Sequence, residues 1–121
     1  MASLKEYCIC LLGSKSGVDM KTAGSTTLFT VPVGKVCRIT HVVVRDTTAS
    51  LAGGTSYSIT GFRATFSLAG LTTSGTGYMV VQATDLTQYT EQAAATNIQI
   101  TVNTGATAAG TATIDVFGYL T

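Results

Sequence analysis

Apolar residues in this chain recur with the period of two expected of strands, and the 3.6-residue period of helices is nearly absent. In "FRATFSL" Phe62, Ala64, Phe66 and Leu68 fall on one face, while Arg63, Thr65 and Ser67 fall on the other. "TNIQITVNT" behaves the same way: Ile98, Ile100 and Val102 point inward, and Asn97, Gln99, Thr101 and Asn103 outward. Runs rich in Thr, Val, Ile, Tyr and Phe predict strands over 7–12, 26–31, 36–46, 55–60, 62–68, 78–83, 97–104 and 113–120. About eight strands at this spacing predict an all-β, single-domain antiparallel β-sandwich, jelly-roll-like in organisation.

Two predicted strands break the alternation. "YCICLL" is apolar on both sides. In the last strand Thr113, Asp115, Phe117 and Tyr119 share one side, and Ala112, Ile114, Val116 and Leu120 the other. If the second side packs in the core, two aromatics remain outside. Each forgoes roughly 1.5–3 kcal/mol if left in water. The economical cover is another copy of the chain, so Tyr7, Ile9, Leu11, Phe117 and Tyr119 are the expected interface residues, with a closed symmetric oligomer as the expected assembly.

The segments between strands, such as "GSKSGVDMKTAGS" (13–25), "TTASLAGG" and "GATAAG", are built from turn-forming and small residues. A single domain spans 1–121, within which residues 1–25 read as an N-terminal arm and loop. Only "TDLTQYTEQAAA" could hold a helical turn, capped by Thr84 or Asp85.

The Gly34-Lys35 pair invites a phosphate-loop reading, which the residues around it exclude. That loop needs G-x-x-x-x-G-K-[ST] ahead of a helix, whereas Phe29 holds the first glycine position, Val36 the hydroxyl position, and a strand follows. A turn explains the segment better. Pro32 ends one strand, Gly34 allows the reversal and Lys35 is the exposed charge beyond it.

The 121 residues suffice for one domain with a real core. Charged residues are 11% of the chain, against roughly 25% in an average domain, and Thr, Ser, Gly and Ala replace them. Little charge is left to keep monomers apart. A formal net charge of +1 argues against an electrostatic grip on nucleic acid or an anionic membrane, and the N-terminus is a poor signal peptide. Synthesis in the cytoplasm follows. Three cysteines, Cys8, Cys10 and Cys37, cannot form a closed disulfide set, and free thiols are expected.

Catalytic candidates are sparse. His41 is the single histidine, and on a regular strand it shares a face with Cys37, about 13 Å away and beyond a common metal ion. None of the carboxylates Glu6, Asp19, Asp46, Asp85, Glu91 and Asp115 sits in a nucleophile motif. The expectation is therefore no enzyme, with no catalytic residue, cofactor or metal. Tyr57, Tyr78, Tyr89 and Tyr119 could stack on sugar rings, a weak signal without tryptophan.

The segment "TTLFTVPVGKVCRITHVVVRDTT" resembles a pattern of tailed-bacteriophage virion proteins, a strand ending in Y/F-T-V-P-x-G-K followed by a long I-T-x-V-V-V-R strand. Phe29 to Pro32, Gly34, Lys35, Ile39, Thr40 and Val42 to Arg45 carry the match. The Thr/Gly/Ala-rich chain and its closing "AGTATIDVFGYLT" are similar in style to small capsid decoration (cement) proteins, often β-sandwich trimers on the shell. The resemblance implies a non-enzymatic virion protein on the capsid exterior, a homotrimer suited to the three-fold positions of the shell that binds the major capsid protein and stabilises the shell, with Tyr7, Ile9, Leu11, Phe117 and Tyr119 meeting either a second copy or the capsid, and with no nucleic-acid or membrane partner. The alternative it implies is a receptor- or glycan-binding β-module of a tail or fibre. Outside the virion, the competing class is a small host β-sandwich lectin or enzyme.

Overall fold

The computed structural model describes residues 9–62, 65–82 and 91–121. Every regular element among them is a strand: β1 (Cys10–Asp19), β2 (Gly24–Thr30), β3 (Cys37–Arg45), β4 (Ser56–Ile59), β5 (Tyr78–Gln82), β6 (Glu91–Gln92), β7 (Asn97–Thr104) and β8 (Thr111–Leu120). One sheet runs β1-β8-β3-β5, with β6 continuing the β5 edge against the start of β3; the other runs β2-β7-β4. All pairings are antiparallel. A single bridge from Tyr57 to Phe66 adds a rudimentary fourth position beside β4. The chain changes sheet at each connection except β4 to Phe66 and β5 to β6, the winding of a jelly roll.

The core lies between the sheets and follows the alternation. Ile39, Val42 and Val44 of β3 with Ile114 and Val116 of β8 face Tyr57 and Ile59 of β4 and Ile98, Ile100 and Val102 of β7. Met20, Leu51, Leu68 and Leu71, on the connections, close the ends and are also buried. Tyr57 is fully buried, and its hydroxyl donates to the Met20 carbonyl at 2.9 Å. That removes it from any sugar-stacking role.

The turn after β2 has the geometry its residues imply. The Lys35 N–H donates to the Pro32 carbonyl at 3.2 Å, and Gly34 has φ +78°, as the third residue of a type II turn requires. Val33 and Lys35 project into water.

Four expectations are corrected. β1 runs to Asp19 through residues 13–19, which read as loop, because β8 offers a continuous backbone partner whatever the polarity of "GSKSGVD". Two bulges, between Leu11 and Gly13 and between Lys15 and Val18, scramble its parity and hide it from a period-two reading. The described residues of 62–68 lie in no strand: beyond the Phe66 bridge the backbone turns, with the Leu68 N–H bonded to the Gly54 carbonyl and that of Leu71 to the Leu68 carbonyl, while Arg63 and Ala64 lie outside the described residues. Glu91 and Gln92, expected in a loop, pair with Arg38 and Cys37 as β6; Thr84 and Asp85 lie outside the described residues. Finally, a bulge between Ile39 and His41 shifts the parity of β3, so Cys37 points into the core while His41 faces outward.

Gly118 sits where β8 crosses closest to β3. A Cβ there would collide with the Arg38 carbonyl oxygen and meet its carbonyl carbon at 3.1 Å. Backbone on that side leaves no room for any side chain.

Candidate interaction surface

The outer faces of the two sheets differ in chemistry. On the three-stranded sheet the outward positions carry hydroxyls and amides that bond across strands: Ser25 to Thr101 at 2.8 Å, Gln99 to Thr27 at 3.1 Å, Thr30 to Asn97 at 2.9 Å, and Asn103 to Ser56 and Ser58 at 3.4 Å. Such a face is satisfied in water.

On the five-stranded sheet, register aligns Leu11, Phe117, His41 and Gln82 in one cross-strand row, and Ser14, Asp115, Val43 and Val80 in the next. Thr113, Arg45 and Tyr78 form a third. Among the described residues, four of the five exposed large hydrophobics belong here or flank it: Ile9 (58% exposed), Leu11 (54%), Tyr78 (70%) and Val80 (48%). Phe117 is half-buried because the His41 ring stacks on it, centroids 4.6 Å apart and planes within 5°. Thr40 fixes this pair, its hydroxyl reaching the Phe117 carbonyl at 3.3 Å and lying 3.1 Å from His41 Nδ1.

One ion pair lies inside this apolar field. Arg45 Nε donates to Asp115 Oδ2 at 2.7 Å and Ser14 Oγ to Asp115 Oδ1 at 2.5 Å, while the other end of the guanidinium meets Asp46. Asp115 is 8% exposed. The Arg45 hydrogen bond holds its carboxyl below the usual carboxylate range, against burial, with help from Ser14. Asp19 is shifted the same way by the N–H groups of Lys21 and Thr22. A depressed native pKa stabilises the fold above the unfolded carboxylate value of about 3.9 and ceases to as pH falls through the native value. The urea midpoint is therefore expected to fall as pH drops below about 4, and less steeply in Asp115→Asn. Equal slopes in both proteins would show that Asp115 does not carry the acid limb.

The expected interface residues are partly brought together. Ile9, Leu11, Phe117 and Tyr119 border or occupy this outer face, the last two as the parity of β8 predicted; Tyr7 lies outside the described residues. Tyr78, Val80, His41 and the Arg45–Asp115 pair were not anticipated there. The alternation of "YMVVQ" contained the signal for the first two, with Met79 and Val81 inward. Of the tyrosines weighed for sugar stacking, Tyr78 is exposed and Tyr119 half-buried; Tyr89 lies outside the described residues.

Chemistry elsewhere is limited. A cavity of about 270 Å³, lined by Val36, Cys37, Arg38, Glu91, Tyr119 and Thr121, opens at one end of the sheet, with Arg38 and Glu91 paired across it at 3.6 Å. Among the described residues no three His, Cys, Asp or Glu side chains converge as metal ligands. Cys10 and Cys37 are free thiols, Cys10 exposed and Cys37 buried, with burial pushing the Cys37 thiol up to about 11. Cys10 is accordingly expected to react with a maleimide in the native protein and Cys37 only after unfolding. Peptide mapping that finds Cys37 labelled as fast as Cys10 would contradict this burial.

Compared with known protein families, curated proteins and solved structures, the chain matches none.

Proposed function

We propose that the protein is a non-enzymatic structural component of a virus particle, a capsid decoration protein that binds the outer shell and stabilises it. The observation that supports this reading best is the unlike pair of sheet faces. One carries a satisfied hydroxyl and amide ladder, and the other exposes Leu11, Tyr78 and Val80 around a stacked His41–Phe117 pair. A domain with one wet face and one apolar face suits a position between solvent and a partner. The apolar face assembles the chain into a closed homotrimer, and the trimer bridges neighbouring copies of the major capsid protein. Each contact is modest, but simultaneous engagement multiplies them. Jelly rolls serve many functions, so the fold alone does not choose among them.

Purified protein mixed with capsids of the corresponding phage is expected to co-sediment and to raise the temperature at which the shells rupture. Binding to tails and not to heads, or to no particle, would overturn the assignment. The exposed ring of Tyr78 favours a second reading, a glycan-binding module of a tail or fibre. A glycan array separates it from the first.

A further inference from the structure

The edges of the two sheets are not equally protected. β1 is interrupted by two bulges, has Gly17 at φ +68° and carries the exposed Lys15. β2 has a bulge between Thr27 and Phe29, and β4 is bridged to Phe66. Bulges and charges are the usual devices that stop a sheet from adding a foreign strand. β5 has neither. Tyr78 to Gln82 runs in unbroken register against β3, contains no charge and no proline, and among the described residues pairs on that one side alone. Among the described residues none bonds to its backbone N–H and C=O groups on the other side.

We propose that this edge pairs with the β5 of a second copy, antiparallel about a twofold axis through Val80, joining two five-stranded sheets into one. The strand is its own complement in that register. Tyr78 falls opposite Gln82 of the partner subunit, Met79 opposite Val81 of the partner subunit, and Val80 opposite its own equivalent. Pairing a strand with itself tends to bring like charges near one another; an uncharged strand avoids this, which favours a second copy over a partner chosen by charge. The exposed side of Val80 is covered, and half-buried Met79 gains an apolar neighbour at the core's margin. Five residues bury less than the roughly 1,200 Å² that a stable association needs. The pairing is therefore weak in isolation and gains strength where threefold contacts hold several edges together. It goes beyond the decoration reading without requiring a capsid, since the free protein tests it.

The test is disulfide trapping in a Cys8→Ser, Cys10→Ser background. Directly opposed residues of an antiparallel pair have Cα atoms about 4.5–5.5 Å apart, within disulfide reach. In this register two copies of Gln82 are four residues out of step, roughly 13 Å or more apart. Under mild oxidation of concentrated protein, Val80→Cys is expected to give at least about tenfold more covalent dimer than Gln82→Cys. The Tyr78→Cys, Gln82→Cys double variant should cross-link as Val80→Cys does. Equal yields from Val80→Cys and Gln82→Cys, or none from either, would overturn the register and the proposal. In the Ile9→Asp, Leu11→Asp background, where no trimer forms, Val80→Lys is expected to abolish the association through this edge. Ile9→Asp with Leu11→Asp, added to Val80→Cys, should remove the trimer and retain the cross-link at reduced yield, still above that of Gln82→Cys in the same background. A cross-link lost with the trimer would show that the edge does not pair on its own account.

Discussion

Gly118→Ala is expected to destabilise the protein by about 3 kcal/mol or more, lowering its melting temperature by roughly 10 °C, and to reduce the yield of folded chain. The added methyl would have to displace the Arg38 carbonyl, which belongs to the strand that pairs with both β8 and β5. No flexible side chain stands in the way, so the strain cannot be relieved by a rotamer change. β8 would have to move away from β3 and carry the β1 pairing with it. Gly70→Ala is the control. The nearest atom to a Cβ there is the Met79 terminal methyl at 3.6 Å, and little change or slight stabilisation is expected. Similar melting curves for both variants would show that β8 and β3 do not approach as closely as described.

Ile9→Asp combined with Leu11→Asp is expected to dissociate the trimer, raising its dissociation constant at least a hundredfold, by roughly 1.5–3 kcal/mol for each apolar side chain no longer buried. Both residues are more than half exposed in the single chain, so the monomer should keep its fold and its circular dichroism. Phe117→Asp tests the same face less cleanly, since it also removes the stack under His41 and places a carboxylate near Asp115. Sedimentation velocity at micromolar concentration decides the matter. A wild-type monomer, or a variant that assembles as well as the wild type, would free this face from the role assigned to it.

Most of the architecture was legible where one strand face meets the core and the other meets water. β7 shows this best: Ile98, Ile100 and Val102 are buried and the residues between them are not. β8 was legible for the same reason, and its parity alone places Phe117 and Tyr119 outside. Bulges defeated the reading elsewhere. An extra residue at Thr40 adds no hydrophobicity signal, yet it sends His41 to the opposite face from Cys37. The polar half of β1 was invisible because an edge strand can be held by backbone pairing alone. In 62–68 the alternation was genuine, but glycine at 61 and the return of the chain toward Gly54 override it. The Arg45–Asp115 pair joins residues 70 apart in sequence, and no local pattern announces such a contact.

The pairing of β1 with β8 has a mechanical consequence. Cys10 lies opposite Gly118 and Asp19 opposite Thr111, so tension applied at residues 10 and 118 pulls two neighbouring strand ends apart. The ladder is then loaded in the manner of a zipper, each rung bearing the force in turn, instead of in shear with all rungs sharing it. Peeling would begin at the Cys10–Gly118 and Leu11–Phe117 pairs and lift Leu11 away from its row before the core between the sheets is breached. A tether at that corner would therefore give way gradually, while a load directed across the sheet, from β1 toward β5, would meet the ladders of β8 and β3 as well.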